Sequence, residues 1–414
     1  MIVQIGQLAE VVAVCKQHGF LFLLFYNRPK WFILKQVLNK KRLQTTDFME
    51  KTSSNRIEYL DCLRGFAMLC VVAVHCNIIG EHLNAWISTF MIPVFMVVSG
   101  YLMSNPKSRE ESFRQFTFKR FMGIMIPYFS FGAVITVFDL IQLLRGRMEG
   151  EEVFRYFLDF VTLRGRGALW FLPALFLGGL LARLLIRTKP VVNTLISLVI
   201  TLSAAFLSFP VNALLEACED FLLLSVFAGM LHTVVRALYL CAFFRLGEIL
   251  AGKYTPLQNK SASKNKEKQF RLISFISGTA LLVGLWFLSG FHGIIDIHNL
   301  SLGEPISSVS LTLLGSLGIF LIFAAIPFVP PFKQLLTFWG QNSLIIMATH
   351  VEFYLLLIGE KITGFLSDHF TFMNSFVTLA VLMVFFIIVE IPICLFIRKF
   401  LPFMLGKRYP KKAS

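Results

Sequence analysis

Two histidines sit where an apolar chain has little reason to hold them. His75 closes the stretch Arg56-Ile-Glu-Tyr-Leu-Asp-Cys-Leu-Arg-Gly-Phe-Ala-Met-Leu-Cys-Val-Val-Ala-Val-His75, eleven residues after Arg64 and among aliphatic neighbours. At about 1.5 Å rise per helical residue, His75 lies roughly 16 Å deeper than Arg64. His350 closes Phe338-Trp-Gly-Gln-Asn-Ser-Leu-Ile-Ile-Met-Ala-Thr-His350, which puts it roughly 18 Å in from Phe338. A titratable group that deep in an apolar helix is costly and marks function by default. The bland alternative is a histidine satisfied by a helix–helix hydrogen bond, worth only about 1 kcal/mol in a membrane. Two histidines at one level can bound a polar cavity, and a neutral imidazole can take the proton of a weak nucleophile such as a hydroxyl.

Other residues could serve that chemistry from neighbouring segments. Phe116-Thr-Phe-Lys-Arg-Phe-Met-Gly-Ile-Met-Ile-Pro-Tyr128 carries Lys119 and Arg120 at the edge of an apolar run. Such a pair can grip phosphate, although the same charges also set topology. In Phe90-Met-Ile-Pro-Val-Phe-Met-Val-Val-Ser-Gly-Tyr-Leu-Met103, Pro93 frees backbone carbonyls and Ser99-Gly100 permits close helix approach. Trp170, in Arg164-Gly-Arg-Gly-Ala-Leu-Trp-Phe-Leu-Pro173, reads as an interfacial anchor. Asp61, three residues before Arg64, reads as its helix-start partner. His292, Asp296 and His298 lie close together, but their spacing matches no strong metal template, and no metal is expected. No Walker loop, Rossmann fingerprint or G-x-S-x-G opens any segment.

These residues need a scaffold, and the composition dictates one. Of 414 residues 56% are apolar and 45 are Phe, while only 15% are charged, against about 25% in soluble domains. Such a chain must face lipid with most of its surface. The expectation is an all-α, polytopic membrane bundle of about ten helices, over 65–80, 82–106, 121–138, 167–182, 190–215, 221–252, 272–295, 305–332, 334–351 and 370–389. The net charge of +15 is parcelled between these runs, a pattern of topology rather than of nucleic-acid binding. With ten crossings the basic clusters share one side, so both termini are cytoplasmic. The loop with Arg145, Arg147, Arg155, Arg164 and Arg166 dissents from that rule. Seven cysteines, none in a C-x-x-C pair, indicate no disulfide framework. Residues 1–48 form a basic, apolar extension, either interfacial or a mis-assigned start upstream of Met49; 49–400 form the membrane domain and 401–414 a basic tail.

Four motifs, in order across roughly residues 55–400, resemble the acyltransferase-3 family of membrane acyltransferases. They are Tyr59-Leu-Asp-Cys-Leu-Arg-Gly-Phe-Ala…His75, Pro93-Val-Phe-Met-Val-Val-Ser-Gly-Tyr101, Leu169-Trp-Phe-Leu-Pro-Ala-Leu175 and Asn342-Ser-Leu…His350. The fucose 4-O-acetylase-like branch is nearest. The resemblance implies about ten helices and transfer of an acyl group, usually acetyl from acetyl-CoA, to sugar hydroxyls of extracytoplasmic glycans or lipid-linked precursors. It implies a multi-pass protein of the cytoplasmic (inner) membrane, with lipids, acyl-CoA and a glycan as partners. His75 would be catalytic, with His350 beside it, and Arg64, Lys119 and Arg120 would face the donor. Ser99, Trp170, Asn342 and Ser343 would serve the substrate. Two positions depart from the family pattern: Gly123 stands where many members carry a second arginine, and Met347 where they carry tyrosine. His75 could act as base or carry the acyl group covalently. The competing class is a transporter or exporter of polysaccharide or small molecules, which also uses broken helices and buried ionisable residues.

Overall fold

The computed structural model describes residues 57–218, 221–258, 264–370 and 374–407. The extension 1–48, the start at Met49 and the tail from 408 onward lie outside the described residues.

Every regular element among the described residues is helical. In chain order they are α1 (Glu58–His75), α2 (Glu81–Ser88), α3 (Pro93–Met103), α4 (Pro106–Glu110), α5 (Phe113–Arg120), α6 (Ile126–Leu144), α7 (Gly150–Val161), α8 (Phe171–Leu185) and α9 (Pro190–Ala217). There follow α10 (Leu222–Tyr239), α11 (Cys241–Gln258), α12 (Lys264–His292), α13 (Pro305–Ala325), α14 (Pro330–Gln341), α15 (Ser343–Thr349), α16 (Leu355–His369) and α17 (Ser375–Phe400). A π-helical turn, Phe121–Met125, carries α5 into α6, and a 3-10 turn, Gly167–Trp170, opens α8. Leu223, Phe287, Phe376 and Ile388 are exposed on the outside, as expected where lipid is the solvent.

Eight helical stretches among the described residues are long and apolar enough to cross a membrane. They account for eight of the ten expected runs. The remaining two are α1, charged by Glu58, Asp61 and Arg64, and α14–α15, interrupted at Asn342. Other runs are broken within. Pro93 restarts the second at α3, and the run over 221–252 is two helices parted at Leu240. The additional helix α16 escapes a search for uncharged runs because Glu360, Lys361 and Asp368 punctuate it.

The two exceptions lie side by side and point the same way. Lys333 pairs with Glu58, Cys62 Sγ lies 3.4 Å from Thr337 Oγ1, and His350 Nε2 lies 3.5 Å from His75 Nδ1. The last two contacts share one offset, 275 residues. Backbones touch between them: a Cβ added at Gly65 would stand 1.9 Å from the Leu336 carbonyl oxygen, and one at Gly340 1.9 Å from that of Asp61. Ser99-Gly100 fulfils the same expectation on α3, where a Cβ at Gly100 would stand 2.0 Å from the Phe244 carbonyl oxygen of α11. Helices in lipid gain little from burying apolar surface against one another, so this close packing supplies the attraction.

The dissenting arginines are largely engaged. Arg155 pairs with Glu151 at 3.4 Å, Arg164 with Asp159 at 3.1 Å, and Arg166 with both Asp139 and Glu352.

Candidate active site

The parallel register of α1 with α14–α15 brings His75 and His350 together, with ring centroids 4.9 Å apart in an edge-to-face arrangement. Each ring is anchored one turn back along its own helix. His75 Nδ1 lies 2.8 Å from the Val71 carbonyl oxygen, and His350 Nδ1 lies 2.7 Å from that of Ile346. A carbonyl can only accept, so Nδ1 carries the hydrogen in both neutral rings and Nε2 keeps its lone pair. His350 is fully buried and spends its Nε2 on His75. His75 is half-buried, and its Nε2 has no partner among the described residues. One bare imidazole nitrogen, oriented by a second ring, is an arrangement suited to general base or nucleophile.

At the Arg64 end of the same helices lies a cavity of about 320 Å³. Arg64, Ser99, Lys119, Arg120 and Ser343 all line it, between apolar walls that include Phe95, Leu175 and Met347. Arg64 donates to Ser343 Oγ at 3.3 Å and pairs with Asp61 at 3.7 Å, as its spacing predicted. Arg120 donates from Nη2 to the Leu175 carbonyl at 3.3 Å, and its guanidinium rests 5.4 Å from the Phe116 ring centroid. Its Nε is buried without a partner. Lys119 is exposed and paired with Glu111. The π-helical turn brings Gly123 and Ile124 into the wall, as such turns often do at functional sites. Both departures from the family pattern, Gly123 and Met347, thus face this one cavity. Met347 is one turn short of His350, so the cavity that the three cations line comes within one helical turn of the histidine pair, although neither histidine is in its wall.

Trp170 and Asn342 join neither group. Asn342 closes the break between α14 and α15: its Nδ2 donates to the Phe338 carbonyl at 2.8 Å and its Oδ1 accepts from Arg398 at 3.3 Å. Trp170 is buried rather than interfacial, because His298 stacks on its ring at 5.4 Å and the Arg236 guanidinium sits 5.0 Å from it. No group of three potential metal ligands occurs among the described residues, and His292, Asp296 and His298 form none.

Arg236 and Arg166 escaped the sequence reading as site residues. Arg236 is buried on α10, donating from Nε to the His298 carbonyl at 2.7 Å and from Nη1 to the Arg164 carbonyl at 2.9 Å. Arg166 reaches Glu352 at 3.2 Å, tying the turn that holds Trp170 to the turn that follows His350. Their signal was charge inside or beside an apolar run, which marks function or a specific partner. A larger cavity, about 440 Å³ and lined by Arg155, Asp159, Arg164 and Glu216 among others, holds none of the residues read as candidates for chemistry.

A family model described as an acyltransferase domain, that of the acyltransferase-3 family, matches residues 57–395. No curated protein and no solved structure matches the chain.

Proposed function

The chain belongs to the acyltransferase-3 family and is a membrane acyltransferase; from that premise we propose that it moves an acetyl group from acetyl-CoA to a sugar hydroxyl of a cell-surface glycan or its lipid-linked precursor. We place it on the fucose 4-O-acetylase-like branch, in the cytoplasmic membrane, with α1 and α14–α15 as the ninth and tenth crossings and both termini in the cytoplasm. The Arg64 end then faces the cytoplasm, where CoA is found, and the His75 end faces the acceptor.

The observation that carries this reading is the bare Nε2 of His75, held beside His350, with Met347, one turn short of His350, in the wall of a cavity that Arg64, Lys119 and Arg120 also line. The cations are suited to CoA phosphates. At about 320 Å³ the cavity is near the lower end of ligand clefts and suits the acyl-pantetheine arm rather than the nucleotide. His75 Nε2 takes the proton of the sugar hydroxyl as its oxygen attacks the thioester carbonyl. The tetrahedral intermediate collapses by breaking the C–S bond, and the leaving thiolate takes that proton back from His75. While His75 is an imidazolium, its Nδ1–H points between the Val71 carbonyl and the His350 lone pair, both acceptors. His350 is therefore a positioning residue for His75. The buried ring contact suits a relay too, in which Nε2 itself carries the acetyl group between donor and acceptor.

The test is His75→Ala in membranes supplied with labelled acetyl-CoA and the host's glycan. Acetylation should fall by about 10²–10⁴-fold with the fold intact, the usual worth of a positioned base. Undiminished acetylation removes His75 from the mechanism. Label retained on wild-type protein without acceptor favours the relay, and loss of glycan export with acetylation intact favours a transporter.

A further inference from the structure

The segment Asp296-Ile-His298, flagged by its sequence and unused on the donor side, sits in a loop held from several helices. Ile295, Ile297, Leu300 and Leu302 are buried. The Ile295 amide donates to Ser88 Oγ of α2 at 3.0 Å, Asn212 Nδ2 of α9 donates to the Asn299 carbonyl at 3.0 Å, and Arg236 of α10 holds the His298 carbonyl. A loop pinned this firmly positions side chains; it does not serve merely as a connector.

Backbone strain points to the same place. Four non-glycine residues among those described have positive φ: Asn77, Leu163, Leu300 and Tyr354. They stand just after His75, beside Arg164, just after His298 and just after His350. Each such conformation costs roughly 1–3 kcal/mol, and they cluster where structure is over-determined around a functional site. Side chains tie the loop to the histidine helices: His298 stacks on Trp170, and Arg166, at the start of the turn that holds Trp170, pairs with Glu352, two residues after His350. Asp296 also lies within electrostatic reach of His75, and His298 within reach of both.

We propose that Asp296 and His298 form the acceptor side of the His75 site and bind adjacent hydroxyls of the sugar that receives the acyl group. Each Asp296 carboxylate oxygen accepts one bond from Asn299, at 3.1 Å from its amide and 2.7 Å from its Nδ2. A carboxylate has about four lone-pair sites, so each oxygen keeps one for a hydroxyl donor. His298 lies flat on Trp170, its ring edge carrying one donor and one acceptor when neutral. Burial and then the Arg236 charge push its proton affinity down to about 4, so it is neutral at ordinary pH. A hydroxyl bound there would present its proton toward the bare Nε2 of His75. This rests on the reading that the acceptor is a sugar hydroxyl.

The experiment titrates the host's surface glycan, extracted and stripped of acetyl esters by mild base, against labelled acetyl-CoA with full-length protein in lipid nanodiscs. Asp296→Asn and His298→Gln should raise the half-saturating glycan concentration ten-fold or more, leave that for acetyl-CoA within two-fold, and leave the unfolding temperature near wild type. Asp296→Glu should restore part of the loss. A fall in kcat or folded protein without a change in glycan half-saturation makes the loop structural and overturns the proposal, as does wild-type behaviour of both variants. If wild type itself acetylates no glycan, the sugar-acceptor reading fails, and this proposal fails with it.

Discussion

Gly65→Ala is a one-methyl test of whether the histidine pair depends on the register of α1 against α14–α15. The added Cβ would stand 1.9 Å from the Leu336 carbonyl oxygen and 3.0 Å from the Gly340 amide nitrogen, where ordinary contact begins at 3.4 Å. Both neighbours are backbone, so no side chain can swing aside. The helices must part by about 1.5 Å at that point, the shortfall between those two distances. If the displacement carries along the pair, the 3.5 Å contact between His75 and His350 opens to about 5 Å and ceases to be a hydrogen bond. Overpacking of this kind costs about 1–3 kcal/mol, and a misplacement of about 1 Å at reacting groups costs on the order of 10²-fold in rate. We therefore expect acetyl transfer by Gly65→Ala to fall about 100-fold, with a lower unfolding temperature. Gly80→Ala, whose Cβ would meet nothing within 4 Å, is the control and should match wild type. Transfer within two-fold of wild type in Gly65→Ala would refute the dependence of the site on this contact.

Two further outcomes separate the roles of the charges. Arg120→Ala should raise the half-saturating acetyl-CoA concentration about 10–100-fold, the worth of a charged hydrogen bond of about 1.5–3 kcal/mol. Lys119→Ala, which removes an exposed cation already paired with Glu111, should change it only a few-fold; equal effects would place the donor phosphates elsewhere. His298 supplies the pH test. Its folded pKa is about 4, against 6.5 in the unfolded chain, so the unfolded state binds the proton first as pH falls. Its contribution to stability is present above about 6.5 and is lost between there and about 4. The wild-type unfolding temperature should thus drop more between pH 7 and pH 4.5 than that of His298→Gln, and parallel curves would contradict it.

The residues legible from sequence were those whose position follows from local geometry. His75 and His350 were matched in depth by helical rise alone, and the structure has them in contact. Arg64, Lys119 and Arg120 were charges at helix ends, and all three line one cavity. Trp170 and Asn342, which the resemblance assigns to the substrate, take their surroundings from distant partners: His298 and Arg236 for the one, Arg398 for the other. No local pattern announces that Arg236 will hold the carbonyl of His298, 62 residues away. The break at Asn342 was equally hidden, because a single polar residue in an apolar run suits an unbroken helix just as well.

Yet the seam between α1 and α14–α15 was written in the chain in a form that a search for apolar runs overlooks. Steps of four, three and ten residues lead from Glu58 to Cys62, Gly65 and His75 on one face of a helix, and the same steps lead from Lys333 to Thr337, Gly340 and His350. Their types match across the seam: charge to charge, thiol to hydroxyl, glycine to glycine, imidazole to imidazole. In an antiparallel pair the same residues would set His350 against the Arg64 end. Only parallel helices leave both histidines at one end and the cations at the other. For the transfer we propose, with donor and acceptor on opposite faces of the membrane, that polarity matters more than any single side chain, because it would set which substrate meets His75 from which side.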